Sequence, residues 1–116
     1  MVKIDSFDFG EIVVDGRSYY SDVMIWWDGS VEHVAKKHTV TPDELVRMLS
    51  GRGRDAEIIV IGRGETGTLR IAEEVEEIAE RKRIKVYIHT TPKAVELFNA
   101  FAATGKKVVA LLHTTL

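Results

Sequence analysis

The chain has no cysteine, no glutamine, a single asparagine (Asn99) and two prolines among its 116 residues. The missing thiols exclude a disulfide scaffold, cysteine catalysis and cysteine-based zinc sites. Long apolar runs are missing too. Runs such as Ile58–Ile61 and Val108–Leu112 fall far short of a membrane span, and the opening MVKIDSFDFG holds no secretory apolar region. An excess of one charge is likewise absent. Sixteen Lys and Arg against eighteen Asp and Glu leave a net charge of −2, which argues against a nucleic-acid footprint spread over the whole domain. These absences make the cytoplasm the default location. Few thermolabile side chains and many Glu, Lys and Arg hint at a thermophile.

What is present is a globular balance, 45% hydrophobic and 29% charged, at a length that suits one domain spanning residues 1–116. The pattern changes partway along. Residues 1–40 read as an antiparallel meander. Phe7, Phe9, Ile12 and Val14 are its first apolar positions, and Asp15-Gly16 and Asp28-Gly29 are hairpin turns. Residues 41–50 read as a helix opened by Thr41-Pro42-Asp43-Glu44, a capping box with proline at its first position, with Leu45, Val46 and Leu49 inward. Residues 57–112 alternate strand, helix, strand, helix, strand. The helices are expected at Leu69–Arg83 and from Thr91, with Thr91 as N-cap and Gly105 closing the second. Strands joined this way are parallel. The expected fold class is therefore α/β: an N-terminal antiparallel β-meander packed with a parallel βαβαβ half, with three helices.

Ligands of open α/β sheets bind beyond the carboxyl ends of the parallel strands. Three segments land there: Gly62-Arg63-Gly64-Glu65-Thr66-Gly67, His89-Thr90-Thr91 and His113-Thr114-Thr115. The first fits G-x-G-x-x-G between a strand and a helix, the pattern that cradles a dinucleotide pyrophosphate. The acid that would hold the ribose should close the next strand, where His89 stands instead, and too little chain remains for a second nucleotide-binding half. An anion-binding loop, or a tight turn needed only for packing, fits better. Asn99, polar within an apolar helix, can reach the same cleft or bond only to a neighbouring loop. The candidate ligand residues are thus Gly62, Arg63, Gly64, Glu65, Thr66, Gly67, His89, Thr90, Thr91, Asn99 and His113.

Other chemistries find less support. His89, His113 and Glu65 are enough donors for zinc, but their spacing carries no metal signature. No G-x-S-x-G elbow exists, and no serine stands at a strand-to-helix turn of the parallel half. Neither a metal nor a cofactor nor a catalytic residue set is expected. Arg52-Gly53-Arg54 with Lys36 and Lys37 forms a local basic cluster that suits RNA or an acidic partner, although a solvated loop explains it as well. The adjacent aromatics Tyr19-Tyr20 and Trp26-Trp27 point to alternate faces of their strands, which leaves aromatic surface either for an interface, as in a homodimer, or for packing under a helix.

Three stretches, FGEIVVDGRSYYSDVMI, IGRGETG and TPKAVELFNAFAATGKKVVALLHTTL, together resemble one family. It is the small-domain family of mitochondrial complex I assembly factor 3 and the adipogenesis-associated domain proteins. The resemblance rests on Phe9, Gly10, Ile12, Val14, Gly16 and Tyr19, then Gly62 and Gly64, then Thr91, Ala94, Val95, Phe98, Asn99 and His113, with His38 at a further family position. It implies a compact α/β domain with an antiparallel meander against a mixed sheet. It also implies a binding or assembly module rather than an enzyme, since the family has no agreed catalytic set. The expected function is a binding or assembly module without catalytic activity. The alternative is a small enzyme or sensor that binds an anionic metabolite at the Gly62–Gly67 loop.

Overall fold

A computed structural model describes residues 1–36 and 38–116. Among the described residues there are ten strands and three α-helices, six of the strands preceding the first helix. Strands β1 (Ile4–Asp8), β2 (Glu11–Val14) and β3 (Arg17–Tyr19) form a three-stranded antiparallel sheet. The β2–β3 turn places Asp15 and Gly16 at φ 49° and 81°, the left-handed pair a two-residue hairpin needs. Strands β4 (Asp22–Trp26) and β5 (Val31–Val34) make the second hairpin. They do not continue the first sheet as one meander. They join β7 (Ile58–Gly62), β9 (Lys85–His89) and β10 (Val108–Leu112) in a five-stranded sheet of order β5-β4-β10-β7-β9. β10 lies parallel to β7 and antiparallel to β4, and β7 lies parallel to β9.

The near-continuous apolar runs follow from this position, because both faces of the five-stranded sheet are covered. On one face, Val23, Ile25, Ile58, Val60, Val108, Ala110 and Leu112 meet Ala94, Phe98 and Ala102 of α3 (Thr91–Ala103) and Ile4, Ile12 and Val14 of the small sheet. On the other, Met24, Trp26, Ile59, Ile61, Val109 and Leu111 meet Leu45 and Met48 of α1 (Pro42–Leu49) and Val75 of α2 (Glu73–Arg81).

Three local expectations change. The helix predicted over 69–83 starts later, because Arg70–Ile71 forms β8, paired in parallel with β6 (Thr39–Val40). Two residues of pairing outcompete helix propensity there: the Arg70 and Ala72 amides donate to the His38 and Val40 carbonyls at 3.0 and 2.9 Å. The N-cap of α3 is Thr90, not Thr91. Thr91 sits inside the helix and turns its hydroxyl to the neighbouring strand end. On α1, Glu44 reaches back to the Thr41 amide at 2.7 Å, but Val46 faces outward, 63% exposed, and Met48 takes the buried place.

Candidate functional site

The glycine loop follows β7 at the carboxyl end of the sheet, as its position in the chain dictates. Several of its polar groups are engaged inside the protein. The Arg63 amide donates to the His89 carbonyl at 2.9 Å, and the Glu65 amide donates to the Thr115 carbonyl at 2.7 Å. The Gly64 amide donates to the Thr91 hydroxyl, which in turn donates to the His113 carbonyl at 2.6 Å. The Thr66 hydroxyl contacts the Leu116 carbonyl at 3.3 Å. Arg63 folds its Nε onto the Leu69 carbonyl at 2.6 Å. Glycine is required here by space. A Cβ on Gly62 would strike the Thr91 hydroxyl, and one on Gly64, at φ +101°, would run into the Leu116 carbonyl and the His113 ring. Gly67 is also left-handed, at φ +79°. The loop is a clasp around the chain that follows β10.

His89 and Thr90 are exposed beside it, with no side-chain hydrogen bond among the described residues. Asn99 does not reach this end. Its amide group closes two bonds on Ile4, accepting from the amide and donating to the carbonyl, each at 2.8 Å, and so ties α3 to β1. Asn99, Arg63 and His113 therefore do not converge on one void.

His113 is brought to a partner that the sequence pattern does not reveal. The antiparallel register Val23↔Leu112 sets Asp22 opposite His113. Both are buried, and Asp22 Oδ2 lies 2.7 Å from His113 Nδ1. Asp22 Oδ1 accepts from the Thr114 amide at 2.9 Å and contacts its hydroxyl at 3.2 Å. With Nδ1 protonated toward the carboxylate, Nε2 is the acceptor, and it stands 3.2 Å from the Thr115 hydroxyl. This chain opens on a cleft of about 210 Å³ lined by Phe9, Lys36, His38, Thr68, His113, Thr115 and Leu116. Two histidines, a lysine and two threonine hydroxyls meet there, with no Asp or Glu side chain among the described residues of the lining. The Asp-His arrangement can orient an imidazole for proton transfer or for holding an anion. For acyl transfer it lacks an obvious oxyanion cradle, since the amides of Gly10, Glu65, Thr68 and Thr114 are all bonded internally. Among the described residues no group of three or more His, Asp or Glu is placed to hold a metal ion.

The aromatic candidates separate. Trp26 is buried, its indole donating to the Met48 carbonyl at 2.9 Å with the Arg52 guanidinium 5.0 Å from its ring. Packing under α1 removes it from any interface. Trp27 is half-buried. Tyr19 packs edge-on against His33 at 5.9 Å, and Tyr20 stands 74% exposed. Of the basic cluster, Arg52 pairs with Glu32 at 3.0 Å, as does Arg47; Lys37 lies outside the described residues.

Residues 4–113 match the protein family described as "Protein of unknown function (DUF498/DUF598)". The chain belongs to this family. Solved structures share its fold over nearly the full length. A conserved hypothetical protein from Pyrococcus horikoshii is 26% identical, with 98% of this chain and 99% of that one covered and a TM-score of 0.85. An outer membrane protein from Bartonella henselae is 25% identical, over 99% and 96%, with a TM-score of 0.83. A Mth938-like domain from Bordetella pertussis, 15% identical over 97% and 85%, shares the fold with a TM-score of 0.68. Among the described residues, no helix is long and apolar enough to cross a membrane.

Proposed function

We propose that this protein is a cytoplasmic binding or assembly module without catalytic activity of its own. One observation carries the reading. The Gly62–Gly67 loop, the segment best suited by sequence to receive a phosphate or a reacting group, has the amides of Arg63, Gly64 and Glu65 engaged with the protein itself. The resemblance to assembly factors supports the same reading, and Tyr20 and Phe9 are exposed aromatics available to a second copy in a dimer. Native mass spectrometry of protein purified mildly from its own cells tests it. A protein–protein complex with no small molecule bound is expected. A retained small molecule that disappears in His113→Ala overturns it.

The Asp22–His113 pair favours a second reading, a small enzyme or sensor for an anionic metabolite. Its site is the cleft of Lys36, His38, Thr68 and His113 rather than the glycine loop. Titration with inorganic phosphate, followed by NMR at the ring carbons of His38 and His113, decides. Saturable shifts at both rings support this reading, and unchanged spectra dismiss it.

A further inference from the structure

The opposite end of the sheet carries a different surface. The helix-to-strand junctions deliver Arg83, Lys85, Lys106 and Lys107 to the starts of β9 and β10, beside Arg54 and Lys82. None of these six makes an ion pair among the described residues. The backbones of Lys107, Glu57 and Lys85 are hydrogen-bonded in series, at 2.8 Å for the Glu57 amide on the Lys107 carbonyl and 3.3 Å for the Lys85 amide on the Glu57 carbonyl. The cations thus share one edge although they lie far apart in the chain. Six cations stand at this edge with the carboxylates of Asp55 and Glu57, the latter accepting the Lys107 amide at 2.9 Å.

Beside this edge runs a groove between α1 and α2. It consists of two adjoining hollows of about 160 and 370 Å³ that share Leu49 and Lys82. Its apolar floor includes Val46, Leu49, Ile78 and Ile84, and its charged rim is Lys82, Arg54 and Lys107 against the single carboxylate of Asp55. Val46 is the telling residue. It stands off the buried face of Leu45 and Met48 and leaves an apolar side chain 63% exposed at the groove. A concave apolar floor with a rim of three cations against one carboxylate fits the apolar face of a helix whose flanks are acidic.

We propose that the α1–α2 groove docks an acidic amphipathic helical segment of a partner protein. Nucleic acid fits less well, because no aromatic side chain in the groove offers a base a stacking platform. A flat lipid surface does not enter a concavity. A second copy meeting it about a two-fold axis would set the same cations against one another. This inference stands apart from the cleft at the other end and does not depend on it.

The test uses NMR on the full chain. One probe is a synthetic helix with Leu at i, i+3, i+4 and i+7 and Glu elsewhere; the control carries Lys in place of Glu. The Glu peptide is expected to shift the amides of Val46, Leu49, Ile78 and Ile84 saturably. Affinity should fall about tenfold in Val46→Asp, which loses one buried apolar contact, and similarly in the double variant Lys82→Glu, Lys107→Glu. Both variants alter surface positions, and circular dichroism confirms that they fold. Binding should weaken between about 50 and about 500 mM salt. Equal behaviour of the two peptides, or no loss in Val46→Asp, overturns the proposal. So does occupation of this face by a single-stranded oligonucleotide, by phosphatidylserine vesicles or by self-association while the Glu peptide leaves it unshifted.

Discussion

At Asp22, one buried carboxylate serves three donors and fixes the direction in which an imidazole presents its free nitrogen. Asp22→Ala leaves the Thr114 amide and His113 Nδ1 without their acceptor in a buried setting. Each such loss costs about 1–3 kcal/mol, so a total of about 2–6 kcal/mol is expected in urea unfolding. Asp22→Asn, which keeps an acceptor for the Thr114 amide, should lose markedly less. Gly64→Ala meets both a left-handed backbone and a blocked Cβ. It should lower stability by more than about 1 kcal/mol in the same measurement. Neither feature is visible in the residue string alone. Asp22 and His113 are 91 positions apart, and only the adjacency of β4 and β10 makes them partners. The glycines were legible as a tight loop, but their reason, the chain crossing them after β10, was not.

Elements show the same division between local and distant information. The hairpins at Asp15-Gly16 and Asp28-Gly29, the capped α1 and the alternating βαβαβ half were legible, because turn chemistry, caps and periodicity act over a few residues. The split of the first forty residues among three sheets was not, since the Tyr20-Ser21 corner carries no Gly or Pro and β6 finds its partner only in β8. The start of α2 was missed because β8 exists only by pairing with β6. Two predictions belong here. Asn99→Leu removes the clip from α3 to both backbone groups of Ile4. Hydrogen exchange should then quicken across β1 and β2 before it does in β7 or β10. In the β4–β5 turn, burial opposes the Asp28 charge. The Ser30 amide and hydroxyl and the Arg52 guanidinium outweigh it and hold the carboxyl below its ordinary value. A lowered carboxyl stabilises the fold above its unfolded value, about 3.9, and loses that contribution as pH falls through its folded one. Asp28→Asn should therefore be less stable than the parent at pH 7, and thermal melts should converge in acid.

For the whole molecule, the mixed sheet is the shared wall of two apolar layers. Phe98, fully buried on one of them, should cost about 3–5 kcal/mol when changed to Ala. Because every strand of the wall serves both layers, Trp26 fluorescence on the far face should report the same shifted transition as far-ultraviolet circular dichroism. Two separated transitions would mean that the layers unfold independently.

The order of strands in the sheet also bears on synthesis. β10 lies between β4 and β7, yet it follows both in the chain. Until it leaves the ribosome, the β4–β5 hairpin and the β7–β9 pair are two half-sheets, each with an open edge of unpaired amides and carbonyls flanked by apolar side chains. Such edges recruit other strands, and closure requires contacts between distant parts of the chain, which slows folding. A nascent chain stalled before Val108 is thus the aggregation-prone species, and insertion of one late strand converts it into the closed protein.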